Sequence, residues 1–319
     1  MTSDVALVIG SSRGLGLLIA RELLAREYEV VITARDAIEL DAAARQLTEE
    51  TGRTAVRPRV CDVRDRDALS SMIDEVAATY GGIDVLIYVA GVIQAGPLES
   101  VGLEQFDQAM ETMGTGPVVA VLAVLPHMRQ RGRGRIGVVT SVGGMISPPH
   151  LLPYATAKFA AVGFTDGLAA ELSGSGITAT TVIPGLMRTG SHGQAEFAGD
   201  AAAEYAWFAP AASLPILSID ADRAARRIVA GVLAGRPNVV LTPLTWLGIR
   251  VRGLAPGLTT RVMGLVVRTL PAAPGDQPTG TVKGDTARKE LGPRALRVVG
   301  ALTTLGDRAA RRTNQRPTT

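Results

Sequence analysis

Seven short apolar runs alternate with longer helical patterns over the first 242 residues, and this alternation is the feature that most restricts the fold. The strand-like runs are VALVIG, EVVITA, TAVRPRVCD, IDVLIYVA, RIGVVTS, ITATTVIPG and NVVLT. Helical patterns fill the intervals, over 15–25, 37–50, 67–80, 103–131, 154–172 and 220–234. Strands that are separated by helices pair in parallel through right-handed crossovers. We therefore predict an α/β fold, with a doubly wound seven-stranded parallel sheet and helices on both faces.

The predicted sheet domain ends near residue 242, and residues 243–319 form a C-terminal extension. Residues 243–270 are apolar with interspersed arginines, residues 271–292 are rich in Pro, Gly and Thr, and residues 293–316 have the pattern of an Arg-rich helix. We predict that the extension consists of an apolar helical segment, a linker and this last helix.

Composition excludes several classes of function. A net charge of +3 is small for 319 residues and argues against nucleic-acid binding. Cys61 is the only cysteine, so no disulfide framework or thiolate metal site can form within the chain, and a reducing compartment is favoured. The three histidines, His127, His150 and His192, lack ligand spacing, and we expect them in loops or at the surface and no metal site. The N-terminus has no basic leader and no run of eighteen apolar residues occurs, so we expect no secretory signal, no spanning helix and a cytoplasmic location.

A glycine-rich loop follows the first predicted strand and precedes the first predicted helix. Its residues are Gly10, Ser12, Arg13, Gly14, Leu15 and Gly16, within the sequence GSSRGLG. Glycines allow the backbone to turn tightly and approach a ligand, and a helix N-terminus presents free N–H groups to a pyrophosphate. This position predicts a Rossmann-type domain that binds a dinucleotide over residues 1–242.

The end of the second predicted strand indicates which dinucleotide is bound. An acidic residue there would bind ribose hydroxyls and repel a 2′-phosphate, but the strand ends with Ala34 followed by Arg35. Arg13 in the glycine loop faces the same region. Two arginines with no carboxylate before Asp36 favour a phosphate, hence NADP(H), although both could instead be solvated surface charges.

Tyr154 and Lys158 are four residues apart on a predicted helix, so both side chains project from one face. Lys158 is the only lysine before Lys283 in a chain that otherwise uses arginine. A nearby ammonium lowers the pKa of a phenol towards the range of general acid–base catalysis, and its compact shape also suits a ribose hydroxyl. Ser141 ends the fifth strand, where its hydroxyl could donate to a substrate carbonyl oxygen. A packed tyrosine beside a solvated lysine is the alternative for this pair.

These motifs together resemble those of the short-chain dehydrogenases/reductases, over roughly residues 4–242. The glycine loop and the spacing of 13 residues between Ser141 and Tyr154 carry the resemblance. It implies a catalytic Ser141, Tyr154 and Lys158, an NADP(H)-preferring oxidoreductase and a homodimer or homotetramer paired through the helices after strands four and five. It also implies further cofactor contacts at Asp62, Val63, Ala90, Gly91, Pro184, Gly185 and Thr189. Asp62 could equally be a helix N-cap.

The chain departs from that family at two asparagines. After the fourth strand the family has Asn-Asn-Ala-Gly where this chain has Tyr88-Val-Ala-Gly91, which predicts lower cofactor affinity or a locally repacked sheet. Met113 stands where the family has the helix asparagine that completes its catalytic tetrad through a helix kink and a water. We hypothesise that Gly114, Gly116 and Pro117 make the kink instead and leave a carbonyl near Met113 free for that water. A damaged proton relay is the rival interpretation.

The substrate and the extension are less constrained. Four aromatic residues after Thr189 suggest a pocket for a bulky apolar carbonyl compound or alcohol, or only the packing of a flap; they are Phe197, Tyr205, Trp207 and Phe208. Residues 243–270 could contact a membrane surface, but we expect them to cap the substrate mouth or pack against another subunit. Two alternatives to a reductase remain: a non-catalytic dinucleotide-binding sensor or scaffold, and a redox-neutral epimerase or dehydratase.

Overall fold

The computed structural model describes residues 4–214, 218–275 and 280–315. Its central sheet has seven strands: β1 Val5–Ile9, β2 Glu29–Ala34, β3 Val56–Val60, β4 Val85–Tyr88, β6 Gly134–Val139, β7 Ile177–Ile183 and β11 Asn238–Val240. They lie parallel in the order β11-β7-β6-β4-β1-β2-β3, which confirms the predicted sheet. The chain winds outwards from β1 to β3 and then returns to β4, so the switch point lies between β1 and β4.

Helices cover both faces of this sheet, as predicted. They are α1 Gly14–Leu24, α2 Ala37–Thr51, α3 Arg66–Tyr80, α4 Leu103–Ala109, α5 Gly116–Arg131, α6 Leu152–Glu171, α7 Ala201–Ser213 and α8 Ala221–Leu233. The buried apolar residues of α1, α2 and α8 form the core on one face. Those of α3, α5 and α6 form the core on the other. Aspartates cap several of these helices; Asp36 accepts from the Glu39 N–H and thereby fixes the start of α2 directly after β2.

The predicted helix over 103–131 is interrupted by a π-helical turn at Met110–Thr115, between α4 and α5. Among the described residues, this is the one helix long and apolar enough to cross a membrane by length and composition, and 56% of its most apolar window is buried within the fold.

The extension begins with α9 Pro243–Leu254 and α10 Pro256–Val266, directly after the sheet ends at β11. It then returns to the core through β12 Val282–Lys283, α11 Gly284–Lys289 and α12 Pro293–Arg312. A small sheet joins β12 to Glu196–Phe197 (β9) and Gln94–Ala95 (β5), and a second small sheet pairs Leu186–Arg188 (β8) with Ser218–Asp220 (β10). The predicted linker, 271–292, therefore contains a strand and a helix; its residues 276–279, like residue 316 of the predicted last helix, lie outside the described residues.

Candidate active site

A cleft of about 640 Å³ lies at the carboxyl ends of the central strands. Every site residue predicted from the sequence lines it. The glycine loop and Arg35 stand at one end, and Ser141, Tyr154 and Lys158 at the other. Between them lie Asp62, Val63, Ala90, Gly91, Pro184, Gly185 and Thr189. The crossover topology thus brings together residues that are up to about 180 positions apart in the chain.

The glycine loop forms a cradle so closely packed that side chains at two of its glycines would clash with neighbouring backbone. Gly10 has φ +85°, and a Cβ there would lie 2.5 Å from the backbone of Ala90. A Cβ at Gly16 would overlap the carbonyl oxygen of Gly10. The loop therefore packs against Ala90 and the start of α1 with no room for side chains at Gly10 and Gly16, the tight turn that a pyrophosphate-binding loop requires.

The two arginines predicted to select the 2′-phosphate have different surroundings. Arg13 Nη1 lies 2.8 Å from both carboxylate oxygens of Glu39, on α2. Sequence reasoning missed this carboxylate because it lies beyond Asp36, one helical turn away in space. Arg35 is exposed, and it has no hydrogen bond or ion pair within the described ranges. Arg35 is therefore available to bind a ligand. Arg13 can bind one only after its ion pair with Glu39 is broken.

Asp62 lies at the cleft between β3 and α3, where its carboxylate is held by Arg64. Arg64 donates from its backbone N–H at 3.0 Å and from Nη2 at 2.7 Å, and this pairing holds the pKa of Asp62 below its usual value. The N-cap of α3 is Asp65, which accepts from the Ala68 N–H. The alternative that Asp62 serves as the N-cap is therefore wrong.

Ser141 lies two residues after the end of β6, with an extended backbone at φ −167°. Its Oγ accepts a 3.0 Å hydrogen bond from the Gly143 N–H, which leaves the hydroxyl proton available for donation. A Cβ at Gly143 would lie 3.0 Å from the ring of Tyr154. The glycine thus lets the tyrosine ring approach the serine, and this contact sets the two hydroxyl groups side by side.

Lys158 is 5% exposed, and its Nζ donates a 2.8 Å hydrogen bond to the Val139 carbonyl oxygen at the end of β6. Nζ lies 5.8 Å from the centre of the Tyr154 ring. Burial lowers the pKa of Lys158 to about 8. Burial also raises the pKa of Tyr154 above its ordinary value, opposed by the Ser141 hydroxyl. The expected lowering of the phenol pKa is thus not found, because burial outweighs the neighbouring groups.

Tyr88 is fully buried, and its hydroxyl donates a 2.6 Å hydrogen bond to the Thr112 carbonyl oxygen within the π-helical turn. In that turn the Gly116 N–H bonds to the Glu111 carbonyl instead of to Thr112, which frees the carbonyl that Tyr88 takes. Burial raises the pKa of the phenol, so it remains a donor. The predicted repacking of the sheet is not seen, since Tyr88 keeps regular register with Ile9 and Val138.

Met113 lies inside the same turn with 1% of its surface exposed. Its Sδ lies 3.2 Å from where a Cβ of Gly91 would be, and it packs with Ala157 and Tyr154. The hypothesised break in the helix is confirmed as a π-helical turn. The carbonyl next to Met113 is not left free, however, because Tyr88 occupies it; the water remains a prediction.

The four aromatic residues after Thr189 divide between packing and lining. Phe197 and Tyr205 are fully buried and contact each other edge to face, with ring centres 5.8 Å apart. Trp207 and Phe208 reach the cleft wall. Phe197 and Tyr205 therefore serve packing, whereas Trp207 and Phe208 line the cleft, where a pocket for a bulky apolar substrate stays a prediction.

In the described parts of the chain, no group of three or more His, Cys, Asp and Glu side chains is placed to hold a metal ion. His150 and His192 are buried, which sequence reasoning did not anticipate. His150 Nδ1 lies 2.8 Å from Glu204, and His192 Nε2 lies 3.3 Å from Asp307. Burial raises the pKa of the Cys61 thiol to about 11, so it remains protonated.

Sequence reasoning missed one further part of the site, the segment Thr313–Gln315 after α12. The Gly14 N–H donates a 2.7 Å hydrogen bond to the Thr313 carbonyl oxygen. Asn314 Nδ2 donates at 2.9 Å to the carbonyl oxygen of Ser12, and Gln315 lines the cleft. An approach between residues some 300 positions apart leaves no signal in sequence periodicity.

Comparison with known proteins identifies the family. A family model described as short chain dehydrogenase matches residues 4–197. The chain is 36% identical over 182 residues to "Oxidoreductase BOA17" of Botryotinia fuckeliana, a match that covers 57% of this chain and 65% of that protein, slightly under two thirds. It is 35% identical over 189 residues to a "Putative ketoacyl reductase" of Streptomyces coelicolor, covering 59% and 72%. Among solved structures, a variant of actinorhodin polyketide ketoreductase with NADPH superposes with a TM-score of 0.64 at 29% identity, covering 75% of this chain and 95% of that one.

Proposed function

The chain belongs to the short chain dehydrogenase family, and we propose that it is an NADP(H)-dependent reductase of bulky apolar ketones or aldehydes, working in reverse on the alcohols. Membership of this family makes the protein an oxidoreductase that interconverts a carbonyl and an alcohol with a nicotinamide dinucleotide.

One observation carries the proposal. Ser141, Tyr154 and Lys158 meet at the end of β6, in the same cleft as the glycine cradle. A protein that only bound a dinucleotide would have no use for a serine hydroxyl whose proton is left to donate beside a tyrosine hydroxyl.

The cradle fits a dinucleotide, since glycines at 10 and 16 let the loop turn tightly against Ala90 and its own backbone in front of the start of α1, where a pyrophosphate would bind. When bound, its nicotinamide supplies or accepts the hydride. Ser141 donates to the substrate oxygen and holds it beside Tyr154. Tyr154 then gives its proton to that oxygen during reduction, or takes it during oxidation. Lys158 as an ammonium stabilises the phenolate that remains and can donate to a ribose hydroxyl.

The preference for NADP(H) is supported by the exposed Arg35 guanidinium at the end of β2 and by Ala34 in place of an acidic residue. Arg13 adds to it only when a 2′-phosphate displaces the Glu39 carboxylate, because one guanidinium face cannot pair with both anions.

The preference for a bulky apolar substrate is supported by the wall of the cleft around Tyr154. Its lining side chains include Val92, Leu151, Met187, Trp207 and Phe208. An apolar wall with a few converging polar groups is typical of a site that binds its ligand by burying apolar surface and orients it by a hydrogen bond.

We further propose a cytoplasmic enzyme that forms a homodimer or homotetramer through α5 and α6. Leu122 on α5 and Phe159 on α6 are 62% and 40% exposed, as expected for apolar residues that a second subunit would cover.

The proposal is tested by following oxidation of NADPH by the purified protein with a panel of bulky apolar ketones and aldehydes, with NADH in parallel. Turnover with NADPH that falls by about a thousandfold or more in Tyr154→Phe supports it, since this variant keeps the ring and loses only the transferable proton. Tight NADPH binding without turnover would favour the sensor or the redox-neutral enzyme instead.

A further inference from the structure

The two helices α9 and α10, with the turn Val267–Thr269, form an apolar hairpin whose polarity is inverted. The single buried residue of each helix is a threonine, Thr245 in α9 and Thr259 in α10. The large apolar side chains face outwards: Leu244, Trp246, Leu247, Val251, Leu254, Leu258, Val262, Leu265, Val266 and Val267. Leu254, at the tip, is 89% exposed. Most apolar side chains of this segment are therefore not covered by the chain's own core, and the expected packing against another subunit stays a prediction.

The charge of this hairpin has one sign. No aspartate or glutamate occurs between Asp222 and Asp276, whereas arginines interrupt the exposed apolar surface at Arg250, Arg252, Arg261 and Arg268. Arg250 stacks on the Trp246 ring at 3.4 Å, which places a cation and an indole together, the pair that suits the boundary between lipid headgroups and acyl chains. A protein partner would need carboxylates to pair with these arginines. A second copy of the hairpin has no carboxylate, so charge pairing does not favour self-association through this surface.

The helices of the hairpin are too short to cross a bilayer. Twelve residues of α9 extend only about 18 Å, well short of the roughly 30 Å of a hydrocarbon core. The hairpin can therefore lie in the interface but cannot span it.

We propose that the apolar hairpin binds the surface of a membrane rich in anionic lipids, with Leu254 and its neighbours inserted and the arginines at the headgroups. A cavity of about 440 Å³ lies beneath α10, and Pro148 borders both this cavity and the catalytic cleft. If the proposed reductase function holds, we infer that the substrates are lipophilic carbonyl compounds dissolved in the membrane, which would enter the cleft from this cavity past Pro148. Lipid binding itself does not depend on that function.

The test is co-sedimentation of the full-length protein with phosphatidylcholine vesicles that contain about one third phosphatidylglycerol, against pure phosphatidylcholine. Removing an arginine weakens binding to an anionic surface roughly fivefold, so we expect about that loss for Arg261→Gln. Leu254→Ser with Leu258→Ser is expected to abolish binding, whereas Ile38→Ser, an 81% exposed apolar residue elsewhere, leaves it unchanged. All four positions are solvent-facing, and unchanged melting temperatures show that the variants fold.

Two results would overturn the proposal. One is equal binding, or none, to both kinds of vesicle. The other is a change from dimer to monomer mass in light scattering on Leu254→Ser with Leu258→Ser, which would make the hairpin an interface between copies of this chain.

A separate set of contacts carries a second inference, at the opposite side of the cleft. The segment Thr313–Gln315 accepts the N–H of Gly14 at the start of α1, the kind of group that binds a pyrophosphate. The Gln315 carboxamide lies so close to Gly14 that its nitrogen would be 2.5 Å from a Cβ there. A backbone carbonyl on that N–H presents negative charge where a phosphate would sit, so this segment and a dinucleotide exclude each other at Gly14.

Hydrogen bonds from three side chains hold the segment Thr313–Gln315 in this position. Thr313 Oγ1 donates at 3.0 Å to the Thr189 carbonyl oxygen, and Gln194 Nε2 donates at 2.9 Å to the Gln315 carbonyl oxygen. Asn314 contributes two, from Nδ2 to the carbonyl oxygens of Ser12 at 2.9 Å and Glu39 at 3.3 Å. Gln315 Oε1 is buried with no hydrogen-bond partner among the described residues. A buried acceptor without a partner destabilises the conformation in which this segment occupies the cleft, as expected for a segment that moves out when a ligand binds.

We infer that Thr313–Gln315 is an intramolecular competitor of the dinucleotide, released when the dinucleotide binds. The inference rests on the dinucleotide site of the proposed function, but not on the choice between NADH and NADPH, since both carry the same pyrophosphate. It is tested on Asn314→Gly, which keeps the φ of +54° and removes both side-chain bonds.

Equilibrium binding of NADPH and NADH is measured by fluorescence titration of the full chain, without substrate. Asn314→Gly is expected to bind both about threefold to tenfold more tightly, from the loss of one net hydrogen bond or somewhat more. Thr304→Ala, whose hydroxyl bonds only within α12, is the control and leaves both affinities unchanged. Weaker or unchanged binding in Asn314→Gly overturns the inference, whereas failure of the reductase proposal is a lack of turnover and does not alter this result.

Discussion

The contact between Tyr88 and the π-helical turn makes a prediction about stability that can be worked in detail. Tyr88→Phe removes the 2.6 Å hydrogen bond and leaves the Thr112 carbonyl buried without a partner. Such a loss costs about 1–3 kcal/mol of the free energy of unfolding. For a chain of this size, each kcal/mol lowers the melting temperature by about 2–4 °C.

Gly116 is coupled to the same hydroxyl. A Cβ there would overlap the Tyr88 Oη and lie 3.1 Å from the Glu111 carbonyl oxygen. Gly116→Ala alone is therefore expected to cost about 1–3 kcal/mol by overpacking. With phenylalanine at position 88, the overlapping oxygen is gone and the next ring atom stands 3.1 Å away, so part of that strain disappears. The gain of about 1 kcal/mol for alanine over glycine in a helix is the same in both variants that carry alanine, so it does not contribute to this difference.

The assay is urea denaturation of the wild type, the two single variants and the double variant, followed by circular dichroism. We expect the double variant to be less destabilised than the sum of the single variants by at least about 1 kcal/mol. Additive effects, within about 0.5 kcal/mol, would show that Tyr88 and Gly116 act independently and would refute the account of the turn.

Three further expectations concern the cleft. Lys158 has a pKa of about 8 when folded, below its unfolded value, so its burial destabilises the fold in full below pH 8 and less as pH rises towards 10.5. In urea titrations at pH 7, Lys158→Met should therefore raise the free energy of unfolding by at most about 3 kcal/mol. The loss of the hydrogen bond to Val139 reduces this gain. At pH 10 the gain should be smaller. In binding titrations, Arg35→Ala should lower the affinity for NADPH about tenfold or more and leave the affinity for NADH unchanged. Glu39→Gln should raise the affinity for NADPH, because it frees Arg13. Equal effects on the two dinucleotides would contradict a 2′-phosphate site. Gly16→Ala should abolish binding of both, because its Cβ overlaps the phosphate loop; retained binding would refute the cradle.

Much of the site could be predicted because its signals are local. The seven strands follow from short apolar runs, the positions after β1 and β6 follow from topology, and Tyr154 and Lys158 share a face by helical spacing. The choice between Asp62 and Asp65 as the cap of α3 needed the structure, because both are aspartates before one helix and only geometry tells which accepts the Ala68 N–H.

Electrostatics could be predicted only in part. The sequence indicates that a lysine stands near a tyrosine, but burial of the two side chains decides the pKa of each, and burial is a property of the assembled cleft. The same holds for Arg13, whose partner Glu39 is chosen by how α2 packs beside the glycine loop.

The sequence by itself determined the α/β fold, the parallel sheet and the order of the residues along the cleft, since these depend on periodicity and on turns that neighbouring residues encode. Only the tertiary structure decided that Tyr88 secures the turn around Met113, that the apolar hairpin faces outwards, and that Asn314 reaches Ser12. Each of these depends on which distant surfaces meet when the chain packs, and contacts between residues far apart in the chain leave no period in it.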